Sequence, residues 1–277
     1  MFDVHTHALR LEHWGHEWDD HWKPIYQHDW VDVTPEAYDQ AMREGGVDHA
    51  AVFGLTADAV GMSTPNEFIR DFDVATSTKT YPFAALDPSG EGAIEKLRHA
   101  IDLGLRGLKL YPVLGLYDIR EECFDEFYRI ATEAGLVLLW HMGATPSPVG
   151  SLALSNPLLV DEVARRHPGL VQVIAHLGHP WQRETMVVLR KNRRVFSDIS
   201  AAWARPVDGH RALIRAAEWG AVDKLLFGSD YPMWTPAEAV AGLKQVASTK
   251  VEGMPAVSTD LVDWLLNGDP REVLGLE

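Results

Sequence analysis

The chain begins with MFDVHTH (residues 1–7), and this stretch decides how the strands after it are interpreted. Residues two apart on a β-strand point to the same face, so His5 and His7 would present two imidazoles at one point. Neutral imidazole is a ligand for zinc, manganese, iron and nickel. The opening strand therefore predicts half of a metal site, provided that later strands end in further ligands.

Length and composition indicate a globular protein with excess negative charge. The chain has 277 residues, a hydrophobic fraction of 46% and a formal net charge of −15. This charge disfavours nucleic acids and anionic membranes as partners, so we expect a small-molecule partner. The one cysteine, Cys123, falls on the apolar side of a predicted helix and is expected to be a buried thiol. No apolar run is long enough to span a bilayer, and these features favour a cytoplasmic protein.

After residue 30, apolar segments of strand length alternate with segments that have a helical period. Thr34 and Pro35 are typical of a helix N-cap and a first helical position. Several strands are nearly continuous apolar runs, as in a parallel sheet that is covered on both faces. With the opening strand, the predicted strands number eight, and the later ones cover residues 47–53, 81–86, 105–111, 136–141, 170–176, 195–199 and 224–228.

This alternation predicts one domain over residues 1–277 with a (β/α)8 barrel fold. No linker or change in composition divides the chain. The alternative is an open doubly wound sheet, but no Gly-x-Gly-x-x-Gly motif follows an early strand.

Residues 8–30 interrupt this pattern with a segment that has neither a helical nor an alternating period. So long an irregular loop is usually functional or disordered, and its tryptophans argue against disorder. We therefore predict an aromatic flap over the end of the first strand. Its histidines are expected to pack or to form hydrogen bonds rather than to bind metal; they are His13, His16, His21 and His28, and the tryptophans are Trp14, Trp18, Trp22 and Trp30.

The predicted strands end in residues whose side chains can bind metals or move protons. In a (β/α)8 barrel these ends meet at the face where active sites form. Several imidazoles and carboxylates on one ring of positions are hard to explain by packing, so together they predict a metal site. The residues are His5 and His7 on the first strand, Lys109 on the fourth, His141 on the fifth, His176 and His179 at the sixth, Asp198 on the seventh and Asp230 on the eighth.

Four motifs in this order resemble the amidohydrolase superfamily: DVHTH at 3–7, WHMG at 140–143, AHLG at 175–178 and FGSDYP at 227–232. More narrowly, they resemble the branch that contains aminocarboxymuconate semialdehyde decarboxylase. The resemblance covers essentially the whole chain. It implies a divalent metal, zinc before manganese, and homodimers are common among such barrels. The metal ligands that it implies are His5, His7, His141 and Asp230, with His176 contacting the metal-bound water or a second metal.

Three imidazoles and a carboxylate would leave room on the metal for water and for a substrate oxygen. The metal would lower the pKa of the water, Asp230 would act as general base, and His176 would orient the water or stabilise negative charge on a carbonyl oxygen. We therefore expect a hydrolase of a small ester, lactone or amide that uses one ion rather than two. The alternative is a non-oxidative decarboxylase of a small aromatic or unsaturated carboxylic acid, which would use the same residues.

Three polar residues near the predicted site have alternative roles. Lys109 would carry a carbamate that bridges two metals, as in some superfamily members, or would bind a substrate carboxylate or pair with an acid. Asp3 would support a metal ligand or accept a hydrogen bond from a backbone amide. His179 stands where the family commonly has glycine, and it is a candidate for contact with the substrate.

The predicted loops at the mouth of the barrel add candidates for substrate binding. Arginine clamps carboxylates with two parallel hydrogen bonds, and aromatic walls suit planar or ring-shaped substrates. The arginines after strands 1, 6 and 7 are Arg10, Arg183 and Arg205, and the tryptophans after strands 7 and 8 are Trp203 and Trp234. The expected substrate is therefore a small carboxylated or ring-containing molecule.

Overall fold

The computed structural model describes residues 1–277 and contains one sheet of eight parallel strands in sequence order. The last strand returns to the first: the Val4 amide donates to the Phe227 carbonyl at 2.9 Å, and the His7 amide donates to the Tyr231 carbonyl at 2.8 Å. The predicted (β/α)8 barrel is therefore confirmed. The strands are β1 Phe2–His7, β2 His49–Phe53, β3 Lys79–Ala85, β4 Gly107–Leu110, β5 Val137–Trp140, β6 Val171–Ile174, β7 Val195–Asp198 and β8 Leu225–Leu226.

Helices connect the strands and cover the outside of the barrel. They are α1 Lys23–Tyr26, α2 Pro35–Gly45, α3 Asn66–Ala75, α4 Ala93–Asp102, α5 Pro112–Gly115, α6 Asp125–Glu133, α7 Leu158–Arg166, α8 Gln182–Lys191, α9 Pro206–Glu218, α10 Pro236–Ser248, α11 Thr259–Asn267 and α12 Arg271–Leu274. None of them has the length and apolar character that crossing a membrane requires.

The apolar runs of the strands serve two separate layers of the core. On β5, Val137 and Leu139 join a cluster that includes Phe83, whereas Leu138 and Trp140 join the larger cluster packed with the helices. Successive side chains of a strand point to opposite faces, so both layers need apolar residues. The interior of the barrel is filled with these side chains, and polar groups are left for the carboxyl ends of the strands.

Residues 8–30, which we call the aromatic segment, are more regular than predicted. They form a 3-10 helix at Leu11–Trp14, a π-helix at Trp18–Trp22 and then α1. The prediction of an irregular loop was wrong because turns of three different pitches give no constant period in the sequence. The indole rings of Trp14, Trp18 and Trp30 pack at steep angles with centroids 4.8 to 5.1 Å apart. Trp14 and Trp18 form a separate hydrophobic cluster with residues outside the segment, such as Leu55 and Tyr111.

The expectation that Cys123 is a buried thiol was wrong, because its thiol is exposed. It lies in a 3-10 turn at Glu122–Phe124, and α6 begins only at Asp125. The helical period that assigned Cys123 to a buried face therefore does not extend to it.

Candidate metal centre

The carboxyl ends of the strands open into a cavity of about 320 Å³. This volume lies at the lower end of the range for small-molecule sites. The predicted site residues that line it are His7, Lys109, His141, His176, His179, Asp230 and Trp234. His5 is fully buried at the floor of the cavity, where its ring packs 4.7 Å from the ring of His176.

Three side chains form a compact group that could hold a metal. The ligand atoms of His5, His176 and Asp230 all lie within 4.8 Å of one another. His7 joins them, because Asp230 Oδ1 lies 3.2 Å from His7 Nε2 and 3.3 Å from His5 Nε2. His141 stands beside this group with its Nε2 3.2 Å from the Ala144 carbonyl and its ring 5.0 Å from that of His176. The structure thus brings His176 closer to the group than His141.

Asp198 determines which nitrogen of His5 carries the proton. Its Oδ2 lies 2.9 Å from His5 Nδ1. An ionised carboxylate can only accept, so Nδ1 carries the proton and Nε2 keeps a lone pair. That lone pair is on the nitrogen nearest to Asp230.

The same carboxylate acts on His176 through Ser200. The Ser200 hydroxyl donates to Asp198 Oδ1, so it must accept from His176 Nδ1, which lies 2.7 Å away. His176 therefore also keeps its lone pair on Nε2. Sequence reasoning named Asp198 only as a strand end and missed Ser200; the available signal was their spacing of two, which on an extended chain favours a shared face.

The residues fit a divalent cation. The lone pair of His5 Nε2 and the carboxylate oxygen of Asp230 are two acceptors at 3.3 Å, and such groups repel unless a proton or a cation lies between them. Imidazole nitrogens with one carboxylate are the donors that zinc and manganese take. The carboxylate partner on the far nitrogen of His5 is the support that metal-binding histidines usually have.

Burial controls the charges of the group. It lowers the pKa of His5, His7 and His141 well below the usual value and lowers that of His176 to about 3. Burial also raises the pKa of Asp230 to about 6. The imidazoles are therefore neutral, which is the form that binds metal.

Lys109 lies within the same group as a buried amine. Its Nζ is 3.3 Å from His5 Nε2 and 5.1 Å from the centre of the Phe53 ring. Burial lowers its pKa to about 8, against the opposing attraction of Asp230 and Asp198. The predicted pairing with an acid is not present as a direct ion pair, and the position is compatible with contact to a substrate or a bridging group.

Two of the central residues have left-handed backbones. His176 has a φ of 56° and Asp230 a φ of 64°. Such conformations cost energy for residues with a β-carbon and often occur at functional sites. The Asp230 amide donates to the His5 carbonyl at 2.8 Å, which fixes the acid against β1.

Asp3 takes the second of its two predicted roles. Its Oδ1 accepts from the Ser229 amide at 3.0 Å and from the His5 amide at 3.1 Å. Asp3 thus ties the loop that carries Asp230 to the strand that carries the histidines. Burial raises its pKa to about 7.

Among the predicted substrate contacts, Arg10 and Trp203 do not line the cavity. The side chain of Arg10 is 52% exposed, and its guanidinium lies 4.9 Å over the ring of Phe68. The aromatic segment turns its tryptophans inward after Arg10, which leaves the arginine outside. Trp203 packs edge-on behind Trp234, with centroids 5.9 Å apart. Arg183 is also absent from the cavity wall, whereas Arg205 is part of it.

The aromatic wall is larger than the two predicted tryptophans. Trp14, Trp22 and Trp30 of the aromatic segment line the cavity as predicted. Tyr26 and Tyr111 also line it, and sequence reasoning did not single them out because neither stands in a recognisable motif.

A family model described as "Amidohydrolase" matches residues 2–276. The chain belongs to this family. No curated protein sequence is detectably similar to it.

Three solved structures share the fold of this amidohydrolase over nearly their whole length. A zinc-bound amidohydrolase from Burkholderia multivorans has a TM-score of 0.72 at 15% identity, covering 100% of this chain and 99% of that one. A probable 2-pyrone-4,6-dicarboxylic acid hydrolase from Acinetobacter baumannii has a TM-score of 0.70 at 15% identity, covering 99% and 98%. A 2,6-dihydroxybenzoate decarboxylase has a TM-score of 0.70 at 14% identity, covering 99% and 98%.

Proposed function

We propose that this amidohydrolase is a metal-dependent hydrolase of small esters, lactones or amides that carry a ring or a carboxylate. The observation that carries the proposal is the contact of the Asp230 carboxylate with the Nε2 atoms of His5 and His7 at the floor of a cavity. A base beside a cluster of neutral imidazoles is what metal-assisted hydrolysis requires.

One divalent ion, zinc rather than manganese, is the proposed cofactor. His5, His7, His141 and Asp230 would hold it, as the sequence motifs imply, and His176, the other member of the compact group, would keep its Nε2 for water. When bound, it would supply Lewis acidity and would lower the pKa of water. The zinc in the Burkholderia multivorans relative and the donor set of this chain support the choice.

Asp230 and His176 would divide the movement of protons between them. Asp230, whose pKa burial raises to about 6, accepts a proton from the attacking water and returns it to the leaving oxygen or nitrogen. His176 carries its proton on Nδ1, so its Nε2 accepts a hydrogen bond from water. Of its two expected roles, orienting the water is therefore the one that its hydrogen bonds support.

The second candidate function is non-oxidative decarboxylation of an aromatic acid. The observation that favours it is the aromatic wall, because Trp14, Trp22 and Trp234 suit a planar ring. A proton from Asp230 or Lys109 would replace the departing carbon dioxide on the ring. The fold is shared with the 2,6-dihydroxybenzoate decarboxylase, but a shared fold is compatible with either reaction.

A panel of aryl esters and lactones beside a panel of hydroxybenzoates separates the two functions. Zinc-loaded protein should place one oxygen from 18O-labelled water in the acid product and release no carbon dioxide. Asp230→Asn should lower kcat about 100- to 10,000-fold, while Asp161→Asn on the outer helix α7 should not change it. Near-normal turnover in Asp230→Asn would refute the assigned base, and carbon dioxide release without hydrolysis would replace the hydrolase with the second candidate.

A further inference from the structure

The cavity has a second polar end on the loops after β6 and β7. Arg205, the residue before α9, lines the cavity, and no protein group accepts a hydrogen bond from its guanidinium. Asp208 lines the same cavity, but it makes no ion pair with Arg205. The positive charge of Arg205 is therefore available to a molecule in the cavity.

His179 supplies a second donor at this end. The Gln182 amide nitrogen lies 2.8 Å from His179 Nδ1, and an amide nitrogen can only donate. His179 Nδ1 is therefore the acceptor, and the neutral ring carries its proton on Nε2. Burial lowers the pKa of His179, and the nearby charge of Arg205 acts in the same direction. The charge of Asp208 opposes both, but the net lowering favours the neutral ring.

Tyr26 relates this end of the cavity to the metal centre. Burial and the charge of Asp230 together raise the pKa of Tyr26 to about 12, and the charge of Arg205 opposes them. Tyr26, Asp230 and Arg205 all line the same cavity. Asp230 comes from the loop after β8, Arg205 from the loop after β7 and Tyr26 from α1, so the three side chains meet over the cavity from separate elements.

We propose that Arg205 and His179 form a carboxylate-binding subsite that selects anionic substrates. This inference rests on the proposed function, because the reacting carbonyl of the same molecule would lie at His5, His176 and Asp230. The guanidinium would bind the carboxylate oxygens in a bidentate manner, and His179 Nε2 would donate to one of them. The aromatic wall, which includes Tyr26, would hold a planar ring that carries both groups.

Benzoate and benzamide test the subsite, because they have nearly the same shape and differ in charge. Calorimetry on zinc-loaded protein should show benzoate binding about 10- to 100-fold more tightly than benzamide. Arg205→Gln should reduce this preference to about twofold or less, and His179→Gln should reduce it several-fold. Arg10→Gln is the matched control, because Arg10 lies outside the cavity and should leave the preference unchanged.

Three results would overturn the subsite: no benzoate binding to the natural protein, no preference over benzamide, or a preference that survives Arg205→Gln. The last would mean that the metal centre itself binds the carboxylate. Arg205→Lys keeps the charge and should retain part of the preference, and unchanged melting temperatures of both Arg205 variants would exclude loss of fold.

The outcomes also separate the subsite from the hydrolase. If no ester is hydrolysed while the benzoate preference depends on Arg205, the hydrolase fails and the subsite stands. If neutral esters are hydrolysed as fast as carboxylated ones, the subsite fails and the hydrolase stands.

Discussion

At the scale of single residues, Asp198 organises the metal centre without being one of its proposed ligands. One oxygen binds His5 Nδ1, and the other accepts from Ser200 and from the His176 amide at 3.0 Å. A single carboxylate thus determines that both imidazoles, His5 and His176, carry their proton on Nδ1. Replacing one of its oxygens should therefore affect both rings at once.

Asp198→Asn should lower the affinity for zinc about 10- to 100-fold, because the carboxylate that fixes the His5 tautomer is lost. Competition with a chromophoric chelator measures this affinity. Asp118→Asn, on the surface after α5, is the control and should bind zinc as the natural protein does. Equal affinity in Asp198→Asn and in the control would contradict the assigned role of Asp198.

The double substitution His5→Ala and His7→Ala should remove the metal. These two side chains supply both nitrogens that contact the Asp230 carboxylate, and without them too few donors remain around it to hold the ion. Elemental analysis of the purified variant should find well under one equivalent of zinc per chain. Full occupancy would place the metal elsewhere, and His99→Ala on the exposed face of α4 controls for nonspecific loss.

At the scale of elements, the aromatic segment depends on its buried tryptophans. Trp18 is 1% exposed and packs against Trp14 and Trp30. Trp18→Ala should lower the free energy of unfolding by about 3–5 kcal/mol, because a large buried ring leaves a cavity. Denaturant unfolding measures the change. Trp219, which is 46% exposed, is the control, and Trp219→Ala should cost about 0.5 kcal/mol or less.

Equal costs for Trp18→Ala and Trp219→Ala would mean that the aromatic segment is not a packed part of the folded protein. A loss confined to Trp18→Ala would instead show that the cluster behind the cavity wall stabilises the folded protein. The site would then depend on a segment outside the repeating barrel.

Another element-scale contact joins α2 to the turn between α3 and β3. Asp39 accepts hydrogen bonds from Thr76, Ser77 and Thr78, including those from the Ser77 amide at 2.7 Å and the Thr78 amide at 2.9 Å. Burial alone would raise the pKa of Asp39, but these hydrogen bonds outweigh burial and hold the pKa well below the usual range. The ionised form is therefore the one that stabilises the fold.

Asp39→Ala should lower the free energy of unfolding by about 3 kcal/mol at pH 7. The folded-state pKa lies below the unfolded value of about 3.9, so this stabilisation is complete above that pH and is lost as the pH falls further. Unfolding curves from pH 7 to pH 3 should show the difference between the two proteins narrowing below about pH 4. A difference independent of pH would contradict the role of the charge, and Asp71→Ala, at an exposed position on α3, should have little effect.

At the scale of the whole molecule, the barrel and the centre of its site could be predicted because both follow from periodicity. Two histidines two apart on a strand share a face, and parallel strands in a barrel end at one rim. What escaped prediction depends on how distant segments meet. Ser200 can accept a hydrogen bond from His176 only because β7 lies beside β6. Arg10 lies outside the cavity because of the path of the aromatic segment, whereas Arg205 lines it.

The metal is the last prediction at this scale, since it should stabilise the whole chain. Zinc that binds only the folded protein adds about 2.7 to 4.1 kcal/mol at 100 to 1,000 times its Kd. Removing it with a chelator should therefore lower Tm by about 5–15 °C, and re-adding zinc should restore it. The variant with His5→Ala and His7→Ala should show no zinc-dependent change. A single-ion site predicts about one equivalent by elemental analysis, because a Lys109 without a carbamate has no oxygen with which to bridge two ions. Two equivalents that fall to one in Lys109→Ala would instead make Lys109 the bridge between two ions and would overturn the single-ion proposal.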